Sequence, residues 1–388
     1  MVQIVTQIGE TAAESARGHI EKLAACGREV VPLSGKYGVV EIGGINLVWE
    51  RHTEFATYTL LRPGRFDTPF GIEQLEPVQS LVLADMPGAV VRATQIAFIS
   101  GDAADPILAE LDRWFVQEAM ICCEVADGLA TVISDFRLNT DGFGRLLVRD
   151  HGLERDEPAQ LLMRLQELGN YRNMALLGLP IAQRLTPTVS ELEARLAELT
   201  HAVAERKSQD DQLLDELSFL SDELARLLAE TRYRMSATRA YGQISMDRLA
   251  SLKIGPLRGY QTLADFTERR LIPALRTCES FSARLDDLSQ RAAWTSELLR
   301  TRIDIALATQ NRDLLSSMDR RTHLQLRLQQ TVEGLSVVAI SYYLVALISY
   351  LIEPVAGLDH GMAKAAAVPI VLGAVALVLM RLRRHLTE

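Results

Sequence analysis

Hydrophobic and polar positions follow three different periods along this chain. Over the first part, short runs alternate apolar and polar residues, the period of strands with one covered face. Strands are predicted over residues 38–42, 45–51, 54–61, 89–99, 120–126, 130–136 and 145–148. Gly43-Gly44, Asp127-Gly128 and the stretch from Asn139 to Gly142 supply the turns between them. A helix is predicted over 6–26, with Ile8, Ala12, Ala16, Ile20, Leu23 and Ala24 on one side. A shorter helix over 107–116 interrupts the strands, and helix returns over 158–184.

The second period is helical and long. Leu213, Leu217, Leu220, Leu224 and Leu227 step by four and three, a heptad seam, and Leu192, Leu196 and Leu199 form an earlier piece of it. Pro187 marks the break before this helix, with Thr188 or Ser190 as its cap, and the pattern runs to Tyr241. Gly255, Pro256 and Gly259 then punctuate a turn. From Thr262 to Glu333 only Pro273 interrupts what reads as one helix. Its seam is clear through Leu271, Leu275, Phe281, Leu285, Leu288, Leu298, Leu299 and Ile303, and more polar beyond Ala306. Two readings stay open there. Leu314, Leu315, Leu324 and Leu328 pack on an antiparallel helix, or Asn311, Ser317 and Gln325 line a hydrated axis in a symmetric oligomer.

The third pattern has no period. Residues 335–352 carry no charge, and 362–380 carry only Lys364. Each stretch is long enough to cross roughly 30 Å of hydrocarbon as a helix. Arg320, Arg321 and Arg327 precede the first, and Arg381, Arg383 and Arg384 follow the second. The connecting loop holds Glu353 and Asp359 and no basic residue, which places both termini in the cytoplasm. The first ten residues lack a signal peptide pattern.

Composition adds to this picture in two places. The mean hydropathy of +0.07 averages a charged body and an apolar end. The net charge of −9 argues against a nucleic-acid partner. Cys26, Cys122, Cys123 and Cys278 form no paired framework, so a reducing compartment is expected. The predicted fold class is therefore an α+β cytoplasmic domain with a largely antiparallel sheet (1–187). A long antiparallel coiled-coil-like stalk follows (188–334, turning near 253–259), then a two-helix transmembrane hairpin (335–352 and 362–380) and a basic tail (381–388).

Candidate chemistry is sparse. There is no dinucleotide fingerprint, P-loop or nucleophile elbow. In an extended strand, Glu50, His52 and Glu54 would share one face and could ligate a divalent metal ion or move protons. The plainer alternative is a polar sheet face with Glu50 or Glu54 paired to Arg62, Arg65 or Arg92. Asp135, Arg137, Asp141 and Arg145 form a second group that could extend the first, or serve as ordinary turn chemistry.

Three stretches carry a resemblance: WERHTEFATYT (49–59), GYQTLADFTERRLIPALRTCE (259–279) and RTRIDIALATQNRDLLSSMDRRTHLQLRLQQTVEGLSVVAISYYLVALISYL (300–351). They resemble the bacterial, uncharacterised, membrane-anchored proteins of domain-of-unknown-function family 3422. Members usually begin with a segment containing a His-Ala-Arg-Pro motif, which is not in this sequence. The order of elements is also similar to the CorA class of divalent-cation channels, whose Gly-Met-Asn selectivity motif is missing here. The resemblance implies the bacterial inner membrane and no known activity. The expected function is a non-enzymatic homo-oligomeric structural or interaction protein, bound to the lipid bilayer and to copies of itself. The alternative is a cation channel with Asn311, Ser317, Gln325, Glu353 and Asp359 along the pore.

Overall fold

The computed structural model describes residues 1–9, 12–66, 68–71, 75–100, 105–205, 210–352 and 360–386. It divides into two compact units, Met1–Ser296 and Glu297–Glu388. In chain order the first unit holds β1 (Val2–Gln7), α1 (Ala12–Ala24), β2 (Arg28–Val31), β3 (Tyr37–Ile42), β4 (Ile45–Arg51), β5 (Phe55–Leu61), α2 (Glu76–Leu83) and β6 (Ala89–Ser100). Two single-turn helices follow, α3 (Asp105–Leu108) and α4 (Leu111–Trp114), then β7 (Ile121–Val125), β8 (Ala130–Ser134) and β9 (Gly144–Asp150). The helices α5 (Glu157–Leu176), α6 (Gly178–Glu205) and α7 (Asp210–Ser251), the short β10 (Gly255–Pro256) and the start of α8 (Leu263–Ile352) complete it.

The ten strands form one sheet in the order β10-β7-β8-β9-β6-β1-β5-β4-β3-β2. Every pair is antiparallel except β6–β9. The seven predicted strands are all present within a few residues of their predicted ends. The main error lies at the start. The pattern over 6–26 predicts one helix, yet Val2–Gln7 is a strand in mid-sheet, paired with β5 and β6, and helix starts only at Ala12. Its VQIVTQ run is buried on both faces, so it lacks the alternation that marks a half-covered strand. Gly88 brings β6 alongside it. With φ +86°, a Cβ there would collide with the Gln7 carbonyl.

Both faces of the sheet are covered. On one, α1 and α2 bury Ile20, Leu23, Val78 and Val82 against Ile4, Leu47, Trp49 and Tyr58. On the same side of the other half, Phe115, Met120 and Trp114 pack over Ala97, Ile99, Cys122 and Leu147. On the opposite face, Leu161, Leu165 and Leu168 of α5 and Leu249 of α7 cover Ile96, Cys123, Val132, Leu146 and Val148. Cys122 and Cys123 thus point into different cores, and burial pushes the Cys122 thiol up to about 11.

The leucine seam from 192 to 227 belongs to two helices rather than one. Arg195 lies by Glu223, and Arg184 by Glu230, so α6 and α7 run antiparallel. Leu192, Leu196, Leu199, Leu213, Leu217, Leu220, Leu224 and Leu227 are all buried. The first third of α8 joins them. Arg284 pairs with Glu193 at 2.7 Å, and Thr295 shares a hydroxyl hydrogen bond with Thr200. Pro187, expected as a break, sits inside α6. A proline costs a helix one hydrogen bond and some strain, which the packing of Ala182, Val189 and Leu192 on either side offsets. The turn at 253–259 is tied down as well, because Gly255 and Pro256 add β10 to the sheet edge beside β7.

The second unit holds the rest of α8 and α9 (His360–Leu386). Among the described residues α8 contains the one stretch long and apolar enough to cross a membrane. In α9 the apolar run is shorter, Val368–Val378. The two helices flank an apolar groove of about 680 Å³, lined by Val337, Ile340, Leu344, Val371 and Val375 among others.

Leu217 is fully buried and Leu314 is 59% exposed. Leu217→Ala is expected to cost about 2–5 kcal/mol in a urea titration of the detergent-solubilised chain followed by circular dichroism. Leu314→Ala should leave that transition in place.

Candidate functional site

The stretch from Glu50 to Glu54 is not an extended strand. β4 ends at Arg51 and β5 starts at Phe55, so His52, Thr53 and Glu54 form the tip of a hairpin. Because the chain reverses there, the alternation argument fails and Glu54 parts from the other two candidate ligands. Glu50 is half-buried and lies 3.9 Å from the Nε2 of His52. Glu54 is buried and accepts a hydrogen bond from Arg234 of α7 at 2.7 Å. The partner is thus neither Arg62, Arg65 nor Arg92. A metal ion at this tip would have to pull Glu54 away from Arg234. Among the described residues no group of three His, Cys, Asp or Glu side chains converges in a metal-binding arrangement.

What the tip builds instead is an aromatic contact. His52 stacks on Phe55 with centroids 4.1 Å apart, Phe55 meets Tyr171 and Tyr241 edge-on, and those two tyrosines stack on each other. Burial holds the His52 pKa below the usual imidazole value. It raises that of Glu50, with the Glu167 carboxylate adding to the effect. Neutral His52 therefore meets Glu50 as a polar neighbour at pH 7, not as an ion pair. The tip clamps the β4–β5 hairpin to α5 and α7.

The second acidic group is turn chemistry. Asp135 accepts from the backbone N–H of Val116 and of Arg137, each at 3.1 Å. Asp141 accepts from the N–H of Phe143 and pairs with Arg145 at 3.4 Å. Three strands (β9, β6 and β1) lie between β8 and β5, so these acids cannot extend the first cluster.

A cavity that the sequence reading did not anticipate lies on the α5 face of the sheet. Its volume is about 360 Å³, between β6, β9, α5 and the start of α8. Among the described residues five arginines line it, Arg92, Arg137, Arg145, Arg172 and Arg270, and no Asp or Glu does. Arg92 rises from mid-strand. Its Nη1 donates to the amide oxygens of Gln3 (2.9 Å), Gln166 (3.2 Å) and Asn170 (2.8 Å). The guanidinium lies against Gly169, where a Cβ would come within 2.7 Å of it. Arg172, one turn further along α5, is buried beside Phe136 and Phe266, which stack on each other, and lies 4.9 and 5.4 Å from their ring centroids. Arg270 lies over the Phe266 ring at 4.3 Å. Burial pushes Arg92 down to about 9, helped by the charge on Arg172, and Arg172 down to about 10, helped by Arg270. The signal was present in the sequence. Arg92 interrupts an apolar strand and Arg172 an apolar helix face, both costly unless the site uses the charge.

The predicted pore-lining residues divide. Asn311, Ser317 and Gln325 lie exposed on α8, and Glu353 and Asp359 fall outside the described residues. From Leu307 a seam steps by four and three through Asn311, Leu314, Met318, Arg321, Gln325, Leu328 and Val332 to Leu335. Asn311 and Gln325 belong to it and Ser317 does not. The six apolar members are each more than half exposed.

Two outcomes follow for the hairpin tip. Glu54→Gln leaves a buried guanidinium without its counter-charge and is expected to cost about 3–5 kcal/mol in urea unfolding. His52 binds its proton less readily folded than unfolded, so it destabilises the fold as pH drops through the ordinary histidine range, about 7.5 to 6. His52→Asn should flatten that part of the stability–pH curve, measured at equal ionic strength.

The sequence matches no protein of curated function. The family model for DUF3422, described as a protein of unknown function, matches residues 1–386. Over that length, from the central strand β1 through the end of α9, the chain belongs to the DUF3422 family.

Proposed function

We propose that this protein is a membrane-anchored homo-oligomer whose N-terminal body is an interaction module held at the cytoplasmic face of the bacterial inner membrane. One observation supports this above the others. The same four-three leucine spacing occurs twice with opposite burial. In α6 and α7 the seam is buried against neighbouring helices. Along α8 from Leu307 to Leu335 it faces outward, and it leads directly into the uncharged stretch that follows. An exposed seam of this kind on a long helix is unstable in water, and a second copy presents the matching surface.

The membrane fixes the geometry of that pairing. Copies anchored by residues 335–352 in one bilayer present their seams parallel and at equal depth. Asn311 and Gln325 then meet their own counterparts, a use of polar seam residues that sets register and copy number at some cost in stability. Residues 362–380 complete a hairpin anchor, and the arginines at 320–327 and 381–384 keep both ends cytoplasmic. The reading requires no catalytic activity, and the lipid bilayer and a further copy of the chain are its partners.

A cation conduit is the second reading, favoured by the amide side chains of Asn311 and Gln325 in the same seam. It needs three or more copies around an axis, whereas the interaction module needs only two.

In mild detergent the wild-type chain is expected to run as a defined oligomer by light scattering coupled to size exclusion. Leu314→Asp with Leu328→Asp should convert it to monomer without unfolding the body. A monomeric wild type would remove both readings. Cation flux in proteoliposomes, abolished by the same double substitution, would favour the conduit.

A further inference from the structure

Among the described residues no Asp or Glu lines the cavity under α5, and of its five arginines Arg145 alone has a carboxylate partner, Asp141 at 3.4 Å. We infer that this cavity is a binding site for a small organic phosphate, with Arg172 and Arg92 as the phosphate-binding residues and Arg270 at its mouth. Four observations converge on this.

First, Arg172 is more than nine-tenths buried and lines the cavity. Among the described residues no hydrogen bond or ion pair reaches its guanidinium, which offers five N–H donors. The stacked pair of Phe136 and Phe266 lies beside it, but rings accept none of those donors in the way an oxyanion does. Second, among the described residues Arg92 makes hydrogen bonds with its Nη1 alone, to three amide oxygens. Those contacts fix the direction of the fork and leave its charge unopposed. Third, Gly169 has no Cβ at the point where this guanidinium approaches α5, and any other residue there would come within 2.7 Å of it. Fourth, Arg92, Arg172 and Arg270 are close enough for each to disfavour the charge on the next. A fold that holds like charges together in a partly dry cavity gains from an anion between them.

The shape narrows the class of anion. A phosphate monoester carries about −1.5 to −2 at pH 7 and three acceptor oxygens, matching two or three arginine forks. A single carboxylate would leave most of that charge uncompensated. Leu146, Leu165 and Leu168 supply an apolar wall, and about 360 Å³ lies in the range of small-molecule sites, so an organic group fits beside the phosphate.

The test uses the full chain in mild detergent at fixed ionic strength. Thermal unfolding and titration calorimetry are run with inorganic phosphate, adenosine monophosphate, glycerol 3-phosphate and citrate. At least one ester is expected to bind saturably and raise the unfolding midpoint. Arg172→Gln and Arg270→Gln should each weaken it by about tenfold or more, the loss of a charge-assisted hydrogen bond. Arg269→Gln, on the same helix outside the cavity, should bind as the wild type does. Without ligand, Arg172→Gln should melt at or above the wild type, since a residue kept only for packing would do the reverse. If Arg172→Gln fails to fold, Arg270→Gln, exposed at the mouth, decides the matter alone. Several results would overturn the assignment: no saturable binding of any phosphate, stronger binding of citrate, or binding indifferent to these arginines. Equal affinity for inorganic phosphate and both esters would overturn the organic part, and selective binding of glycerol 3-phosphate would point to a lipid headgroup as the source.

Discussion

At Gly169 the backbone of α5 comes so close to β6 that the Arg92 guanidinium fills the space where a Cβ would stand. That approach is possible because Leu161, Leu165 and Leu168 lie on the same side of α5 and bury against the sheet. With α5 fixed there, its other side chains follow. Gln166 and Asn170 meet Arg92, Glu167 pairs with Arg248 of α7 at 2.7 Å, Tyr171 receives the β4–β5 tip, and Arg172 enters the cavity. One helix of twenty residues therefore sets the charge pattern of the cavity and the seat of the hairpin. Apolar burial supplies the driving force, and the polar contacts select a single register.

The contrast between the two units is one of satisfaction. In the first, the seams of α6 and α7 and the early part of α8 find each other, and buried polar groups such as Glu54 and Arg234 are paired across elements. In the second, the leucines of α8 are exposed from Leu307 onward, including those that lead into the uncharged stretch. A single copy can bury the first set of leucines by itself. The second set stays exposed within a single copy.

Much of the architecture was legible from period alone. Alternation located seven of the ten strands, and the heptad spacing identified the seam leucines that are buried. Three strands escaped. β1 is covered on both faces and so does not alternate, β2 is short and exposed, and β10 consists of two residues held by the sheet edge. The candidate metal strand failed for a related reason. Alternation assumes continued extension, and at His52 the chain turns. Nothing in TEFATYT states whether the reversal comes before or after Glu54.

The chain by itself determined where apolar surface had to be hidden, since burial follows composition and spacing: the alternating strands, the leucine seams and the uncharged end. Arg92 and Arg172 stand in apolar runs as well, a signal that the reading by period passed over. Only the tertiary structure decided what those positions meet. Glu54 finds Arg234, which lies 180 residues away, and Arg92 and Arg172 come from a strand and a helix to line one cavity with Arg270. Such pairings depend on which strands neighbour each other and on how closely a helix approaches a sheet. Both are set by the packing of the whole body, which no local period encodes.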